Sequence, residues 1–384
     1  MREKVDIYSE EFDGKIGFIT FQGFLWMLKI NWFGILFIGS FGILLNLVID
    51  GALFIITNGQ LGTDLFTKIL IYIIGIPIAA RINTIIFYRN RVFNQEGDTE
   101  MLGAVKITHH FVEADSVNWH YVETSPKDAE IVIFMHGLPE SWHTWHSQIE
   151  DLADKYHVYA FDLKGFGQSD KGIGDYTWKG VADQFIAVLD KLGIQKANFV
   201  CHDRGSVLID YLGGNYPERV KSFIRGQQVL HIWNPIRTPQ EKMYIRPIIG
   251  TLANRFPRII IPFAYARWYT YSKNKIPRKL LKRTIYEYSY PKLSWAVPRY
   301  FRSNGFAKEL KDRKTHLLQN MTFPVLLLEA GKDAFQPKYY FEGGTELFPN
   351  AQLRFIEDAS HFWTIEKPKE VSQIIRDFLS KTMD

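Results

Sequence analysis

Residues 194–216 carry the strongest constraint on the fold. An apolar run, Ile194 to Cys201, reads as a short buried strand; a tight passage follows through His202, Asp203, Arg204 and Gly205, and then a helix from Ser206 to Tyr216. A strand that passes into a helix over so few residues pushes the side chain at its turn out at the end of a sheet. The surrounding chain repeats the alternation. Val117 to Val122 alternates like a strand, and Ile131–Met135, Val158–Phe161, Asn198–Cys201 and Val325–Leu328 read as buried strands of a parallel sheet. Val181, Phe185, Val188, Leu189 and Leu192 share one helical face, as do Val371, Ile374, Ile375, Phe378 and Leu379. Strands alternating with helices predict an α/β fold, a mostly parallel sheet covered by helices on both faces.

From about His231 to Asn320 the alternation stops. The stretch is rich in Pro, Arg and Tyr and reads as helices and loops without a strand. An insertion there, at the carboxyl edge of the sheet, is predicted to roof the site as a lid. The chain therefore divides into an N-terminal region (1–94), a first core part (95–230), the lid (231–320) and a second core part (321–384).

The N-terminal region is a different material. An apolar run spans 32–56, and a second spans 69–88. The first is long enough to cross a bilayer as a helix of about 20 residues. The second carries Gly75, Pro77 and Arg81, and reads either as a kinked span or as an amphipathic piece at the interface. A cleaved signal fits less well, because the run begins at Trp32, is longer than a signal core and has no clear small-residue cleavage site after it. A buried pair of soluble helices fits less well still. Arg2, Lys4, Lys15 and Lys29 precede the first run and Arg81, Arg89 and Arg91 end or follow the second, while the connection 58–67 has no basic residue. That distribution predicts a hairpin with both ends cytosolic, placing the rest of the chain on the cytosolic face of a membrane, taken as that of the endoplasmic reticulum. Asn46 and Asp50 are costly at membrane depth unless they pair or face a partner.

A net charge of +5 over 384 residues gives no reason to expect a nucleic-acid partner. The lysines and arginines read as scattered, without a basic block interleaved with aromatics. The single cysteine, Cys201, excludes an internal disulfide and fits a reducing compartment.

Asp203 stands where a hydrolase of the strand-turn-helix kind holds its nucleophile. A carboxylate there displaces a leaving group from a saturated carbon and forms an alkyl ester that water then cleaves. His136-Gly137-Leu138-Pro139 follows a buried strand; Gly137 permits a tight turn that leaves the Leu138 N–H pointing into the site. With the N–H of Arg204 it would stabilise the oxyanion formed as water attacks the ester. Asp333 follows the strand Val325–Leu328, and His361 follows Leu353–Ile356. The order Asp203, Asp333, His361 is that of nucleophile, acid and histidine, with His361 as the base that takes a proton from water and Asp333 as its partner. Taken singly, these are ordinary turn aspartates and a surface histidine. Four in this order, each after a strand, select the catalytic reading. No metal or organic cofactor is implied.

The segments HGLPESWHTW (136–145), DLKGFGQSD (162–170), CHDRGS (201–206), GKDAF (331–335) and DASHFWTIEKP (358–368) resemble the epoxide hydrolase and haloacid dehalogenase branch of the α/β-hydrolase superfamily, over Lys106 to Leu379. The N-terminal region resembles that of the membrane-anchored epoxide hydrolases. Departures are informative. The family usually has Gly at Cys201 and Ser206; both replacements are small, so the turn is expected to survive. Haloalkane dehalogenases have Trp where Arg204 stands, whereas haloacetate dehalogenases have an arginine there that helps hold the substrate carboxylate; their second arginine falls on Val207 here. Epoxide hydrolases protonate the epoxide oxygen with two lid tyrosines. Tyr265 matches the first, and the second falls on Phe301, with Tyr300 one residue early, a slip of about 100° on a helix. The plainer alternative is that Tyr265, Tyr269 and Tyr300 line an apolar lid.

The resemblance implies a membrane-anchored hydrolase that opens an epoxide of a small, lipophilic molecule through an ester on Asp203. A haloacid dehalogenase using Arg204 and a silent, lipid-binding relative are the alternatives, and oligomeric state is left open.

Overall fold

The computed structural model describes residues 93–382, apart from 125–127, 233, 235–238, 247–248, 252–253, 256, 258–260, 263–264 and 266–275. The apolar runs 32–56 and 69–88, and Tyr269, lie outside the described residues. Among the described residues no helix is long and apolar enough to cross a membrane.

Nine strands form one sheet: β1 (Thr99–Leu102), β2 (Val105–Ala114), β3 (Val117–Glu123), β4 (Ile131–Met135), β5 (His157–Phe161), β6 (Ala197–His202), β7 (Val220–Gly226), β8 (Val325–Ala330) and β9 (Ala351–Ile356). Their order is β1-β2-β3-β5-β4-β6-β7-β8-β9. β1, β2, β3 and β5 pair antiparallel, and every pair from β5 through β9 is parallel.

The parallel strands β4, β5, β6 and β8 are mostly apolar because helices cover both faces. Ile133, Met135, Phe199, Cys201 and Leu327 face the helices Trp178–Lys191 and Arg204–Asn215. Val132, Phe134, Val200, Ile224, Leu326 and Leu328, one residue out of step, face His146–Leu152 and Pro368–Lys381. The two amphipathic helices read from the sequence are those of residues 178–191 and 368–381.

Three strands escape a reading by hydrophobic pattern. β1 is four residues long and half of β2 is charged or polar, with His109 and His110 side by side at its centre. β7, VKSFIRG, carries an arginine in the middle of the sheet. Arg225 is tolerated there with no exposure because it donates to both carboxylate oxygens of Asp210, at 2.9 and 3.0 Å. Between β7 and β8 the described residues form helices and no strand: Pro239–Tyr244, Arg278–Glu287, Leu293–Ser303 and Phe306–Asp312.

Candidate active site

The carboxyl ends of β4, β6, β8 and β9 converge, and each delivers one predicted group. Asp203 directly follows β6 with φ +48° and ψ −117°, a conformation that costs energy for a residue with a Cβ and holds its carboxylate clear of strand and helix. Two glycines make room for it. A Cβ on Gly205 would lie 2.4 Å from the Met135 carbonyl oxygen, and one on Gly137 would lie 2.4 Å from the Asp203 Cβ. Cys201 and Ser206, where the resembling family has glycine, fit. Cys201 is buried in the core, and the Ser206 hydroxyl donates to Gly226 O at 3.0 Å while accepting from Gly226 N at 3.1 Å, pinning the helix to β7. Burial holds the Cys201 thiol well above the usual range, so it is no competing nucleophile.

Leu138 N donates to Asp203 Oδ1 at 2.9 Å. The turn carrying it is locked by His136, whose Nδ1–H donates to Gly137 O at 2.7 Å while its Nε2 accepts from Leu163 N at 3.0 Å. Both ring nitrogens are thereby committed in the neutral form, in keeping with a pKa lowered by burial.

His361 presents Nε2 to Asp203 Oδ2 at 3.8 Å, too far for a hydrogen bond and near enough to act on a water attacking Cγ. Its Nδ1–H donates to Asp333 Oδ2 at 3.0 Å. Asp333 Oδ2 also accepts from Gln227 Nε2 at 2.8 Å, and Oδ1 accepts from Phe335 N at 2.7 Å and Gln336 N at 3.1 Å. Burial alone would raise the Asp333 pKa; the bond to His361, that ring's charge and the two backbone N–H groups outweigh it and lower it. For His361, burial favours the neutral ring, but the hydrogen bond and charge of Asp333, with Asp203 and Glu140 beyond, raise its pKa above the ordinary value.

The two tyrosines of the 231–320 insertion are placed differently from each other. Tyr265 is buried, lies flat on Phe362 with ring centroids 4.1 Å apart, and donates to Glu140 Oε1 at 3.3 Å. Burial and the Glu140 charge hold its phenol well above its ordinary pKa. Tyr300 donates to the Lys164 carbonyl at 2.8 Å and stacks on Trp178 at 4.5 Å. Phe301 covers the Arg204 guanidinium, 4.7 Å from its ring centre, and Phe306 lies 4.4 Å from it. Arg204 is spoken for: its Nη1 donates to both oxygens of Glu309 at 2.9 Å, and Trp178 Nε1 donates to the same carboxylate at 2.8 Å.

Several residues at the site carry no sequence signal of their own. His202 Nε2 donates to the His361 carbonyl at 2.7 Å, and its Nδ1 lies 3.2 Å from Glu140 Oε2. Glu140 thus ties the loop bearing His361 to Tyr265. Gln228, in the amide orientation that satisfies both neighbours, donates to Asp203 Oδ2 at 3.2 Å and accepts from Arg204 Nη1 at 3.3 Å. Tyr244 packs on Phe301 at 4.7 Å and is hydrogen-bonded to Tyr288. Its phenol is raised by burial, opposed by Tyr288, and raised further by the Asp203 charge. Only Glu140 and His202 fall within the motifs above.

A profile of the alpha/beta hydrolase fold matches residues 130–368. Epoxide hydrolase 1 of Caenorhabditis elegans is 24% identical over 286 residues, covering 71% of this chain and 70% of that protein. Epoxide hydrolase 4 of Mus musculus is 25% identical over 299 residues, covering 71% and 80%. Among solved structures, an epoxide hydrolase of Bacillus megaterium in complex with an inhibitor superposes with a TM-score of 0.60 at 21% identity, covering 71% of this chain and 100% of that one. That part of the chain therefore corresponds to a complete fold.

Proposed function

The chain belongs to the α/β-hydrolase fold family and is a hydrolase, and we propose that it opens epoxides through an ester on Asp203, inside a site roofed by the 231–320 insertion. An Asp203 oxygen attacks one epoxide carbon, the carbon–oxygen bond of the ring breaks, and the departing oxygen takes a proton from Tyr265. His361 then removes a proton from water, whose oxygen attacks the Asp203 Cγ. The resulting oxyanion is held by the N–H groups of Leu138 and Arg204; it collapses, the expelled oxygen takes the proton from His361 and leaves as the diol, the carboxyl proton left on Asp203 restores Tyr265, and Asp203 keeps one oxygen from water.

One observation carries this reading: an aspartate, not a serine, occupies the strained turn, with the Leu138 N–H on one oxygen and His361, backed by Asp333, beside the other. The acid role of Tyr265 is supported by its buried place on the Phe362 ring, immediately after His361. The haloacid alternative finds no such support, since the guanidinium it needs is bound by Glu309. The apolar runs 32–56 and 69–88 and their basic flanks support anchoring as a hairpin with the catalytic part on the cytosolic side; the endoplasmic reticulum as that membrane and a lipophilic substrate complete the proposal.

A single turnover in heavy-oxygen water with a panel of lipid epoxides tests the reaction. The label is expected in the Asp203 carboxylate and diol as the product. Label in the diol alone overturns the covalent route, and halide release from haloacids without diol formation overturns the substrate class.

A further inference from the structure

The small net charge of the chain is an average over two opposite parts. The insertion 231–320 holds 19 lysines and arginines against 4 acidic residues, a net +15, while the other residues together carry −10. Reading the basic residues as scattered misses this, because the acidic core offsets them in the total.

The structure sorts these charges by depth. Of the insertion's acidic side chains that are described, Glu287 is buried on Arg283 at 2.6 Å, Glu309 is buried on Arg204, and Asp312 is half-buried, accepting from the Tyr211 hydroxyl. Arg283 and Arg313 are buried with these carboxylates, whereas eight of the described cations, among them Lys242, Arg246, Lys279, Lys292 and Arg302, are exposed. Large apolar side chains stand out among them. Trp295 is 50% exposed, Ile249 45% and Ile245 43%. Cations alone would suit any polyanion; cations interspersed with exposed Trp and Ile suit a surface that is anionic outside and apolar just beneath.

The course of the chain favours the same partner. The 92 residues that precede the described part contain both apolar runs, and where they end, the Phe93 ring meets Tyr290 of the insertion at 5.4 Å, close in sequence to Lys292 and Trp295. A segment held in a bilayer would thus deliver this surface to that bilayer.

We propose that the 231–320 insertion docks on an anionic lipid surface, its exposed cations on the headgroups and Trp295, Ile245 and Ile249 in the boundary beneath. The site's roof then faces the membrane, from which a lipophilic substrate enters. This extends the membrane reading of the proposed function and rests in part on it.

The test uses the part from Phe93 onward, a complete fold that lacks the apolar runs, so its outcome is separate from whether the full chain resists carbonate extraction. Flotation with vesicles of phosphatidylcholine, with and without about one third phosphatidylserine, measures partitioning; each cation at the surface contributes roughly fivefold. Binding is expected only with phosphatidylserine. It should weaken as salt rises from about 0.1 to 1 M and the Debye length shrinks from about 10 to 3 Å. Replacing Lys242, Arg246 and Arg302 together by Ala should lower partitioning about 100-fold at roughly fivefold each, and Trp295→Ala should lower it independently of salt. These side chains are exposed, so thermal melts of the variants should match the parent. Equal binding to both vesicles, no binding to either, or an unchanged triple variant overturns the proposal, as does binding to single-stranded RNA but not to the vesicles.

Discussion

Replacing Asp333 by Asn probes the candidate site without changing its volume. All four hydrogen bonds at this carboxylate come from N–H donors: His361 Nδ1 and Gln227 Nε2 on Oδ2, Phe335 N and Gln336 N on Oδ1. The Gln227 amide is fixed in that sense because its Oε1 accepts from Ala330 N at 2.6 Å. An asparagine has one accepting oxygen and one donating nitrogen, so two of the four donors must face an NH₂ group. The backbone N–H groups cannot invert, whereas imidazole can change tautomer. The cheaper arrangement keeps the oxygen toward Phe335 and Gln336 and turns the NH₂ toward His361, which then carries its proton on Nε2. In that form it cannot take a proton from water. Gln227 Nε2 is left facing a donor, costing about 1–3 kcal/mol of stability. Where the same change forces the wrong tautomer in a triad, kcat falls about 10⁴-fold.

Attack by Asp203 does not involve His361, so the ester should still form. Rapid mixing with an epoxide should show a burst close to one equivalent followed by very slow turnover, and mass spectrometry should find the adduct on Asp203. In the parent, kcat should rise with pH through the elevated pKa of His361, since the base must be neutral. In the Asn variant the negative partner is gone, and the acid limb of any residual activity should move to lower pH. A steady-state rate within tenfold of the parent, with an unmoved pH profile, would refute the assignment of Asp333 and His361.

Two further perturbations follow. Tyr265→Phe should reduce diol formation by about 10²- to 10⁴-fold, the usual worth of a positioned acid, and Phe301→Tyr should raise it, by adding a phenol beside Tyr244; unchanged diol formation in Tyr265→Phe would remove that tyrosine from the reaction. Glu309→Gln leaves the buried Arg204 guanidinium without its counter-charge and should cost about 3–5 kcal/mol in urea unfolding, while Arg204→Leu combined with Glu309→Leu should recover most of it; a loss below about 1 kcal/mol would show that the pair behaves as a solvated surface pair rather than a buried one.

Much of this protein is legible residue by residue because the signals are local. A strand covered on both faces must be apolar throughout, so β4, β5, β6 and β8 stand out. A turn between strand and helix needs a small residue at Gly205, so Asp203 is found from its neighbours alone; Asp333 and His361 follow from their order after strands. What tertiary structure decided is where buried charge goes. Arg225 looks like a surface residue until Asp210, on another element, is beside it, and β7 is hidden for that reason. Arg204 reads as a site for a substrate carboxylate until Glu309, 105 residues later, accepts two hydrogen bonds from its Nη1. Tyr300 and Phe301 differ by one helical step, yet the first is turned to the Lys164 carbonyl and the second to the guanidinium. The links from Glu140 to His202 and Tyr265 join three elements distant in sequence. Hydrophobic burial leaves a periodic trace along the chain because it acts on every residue of an element. A buried ion pair or hydrogen bond has its partner elsewhere, and only folding brings the two together.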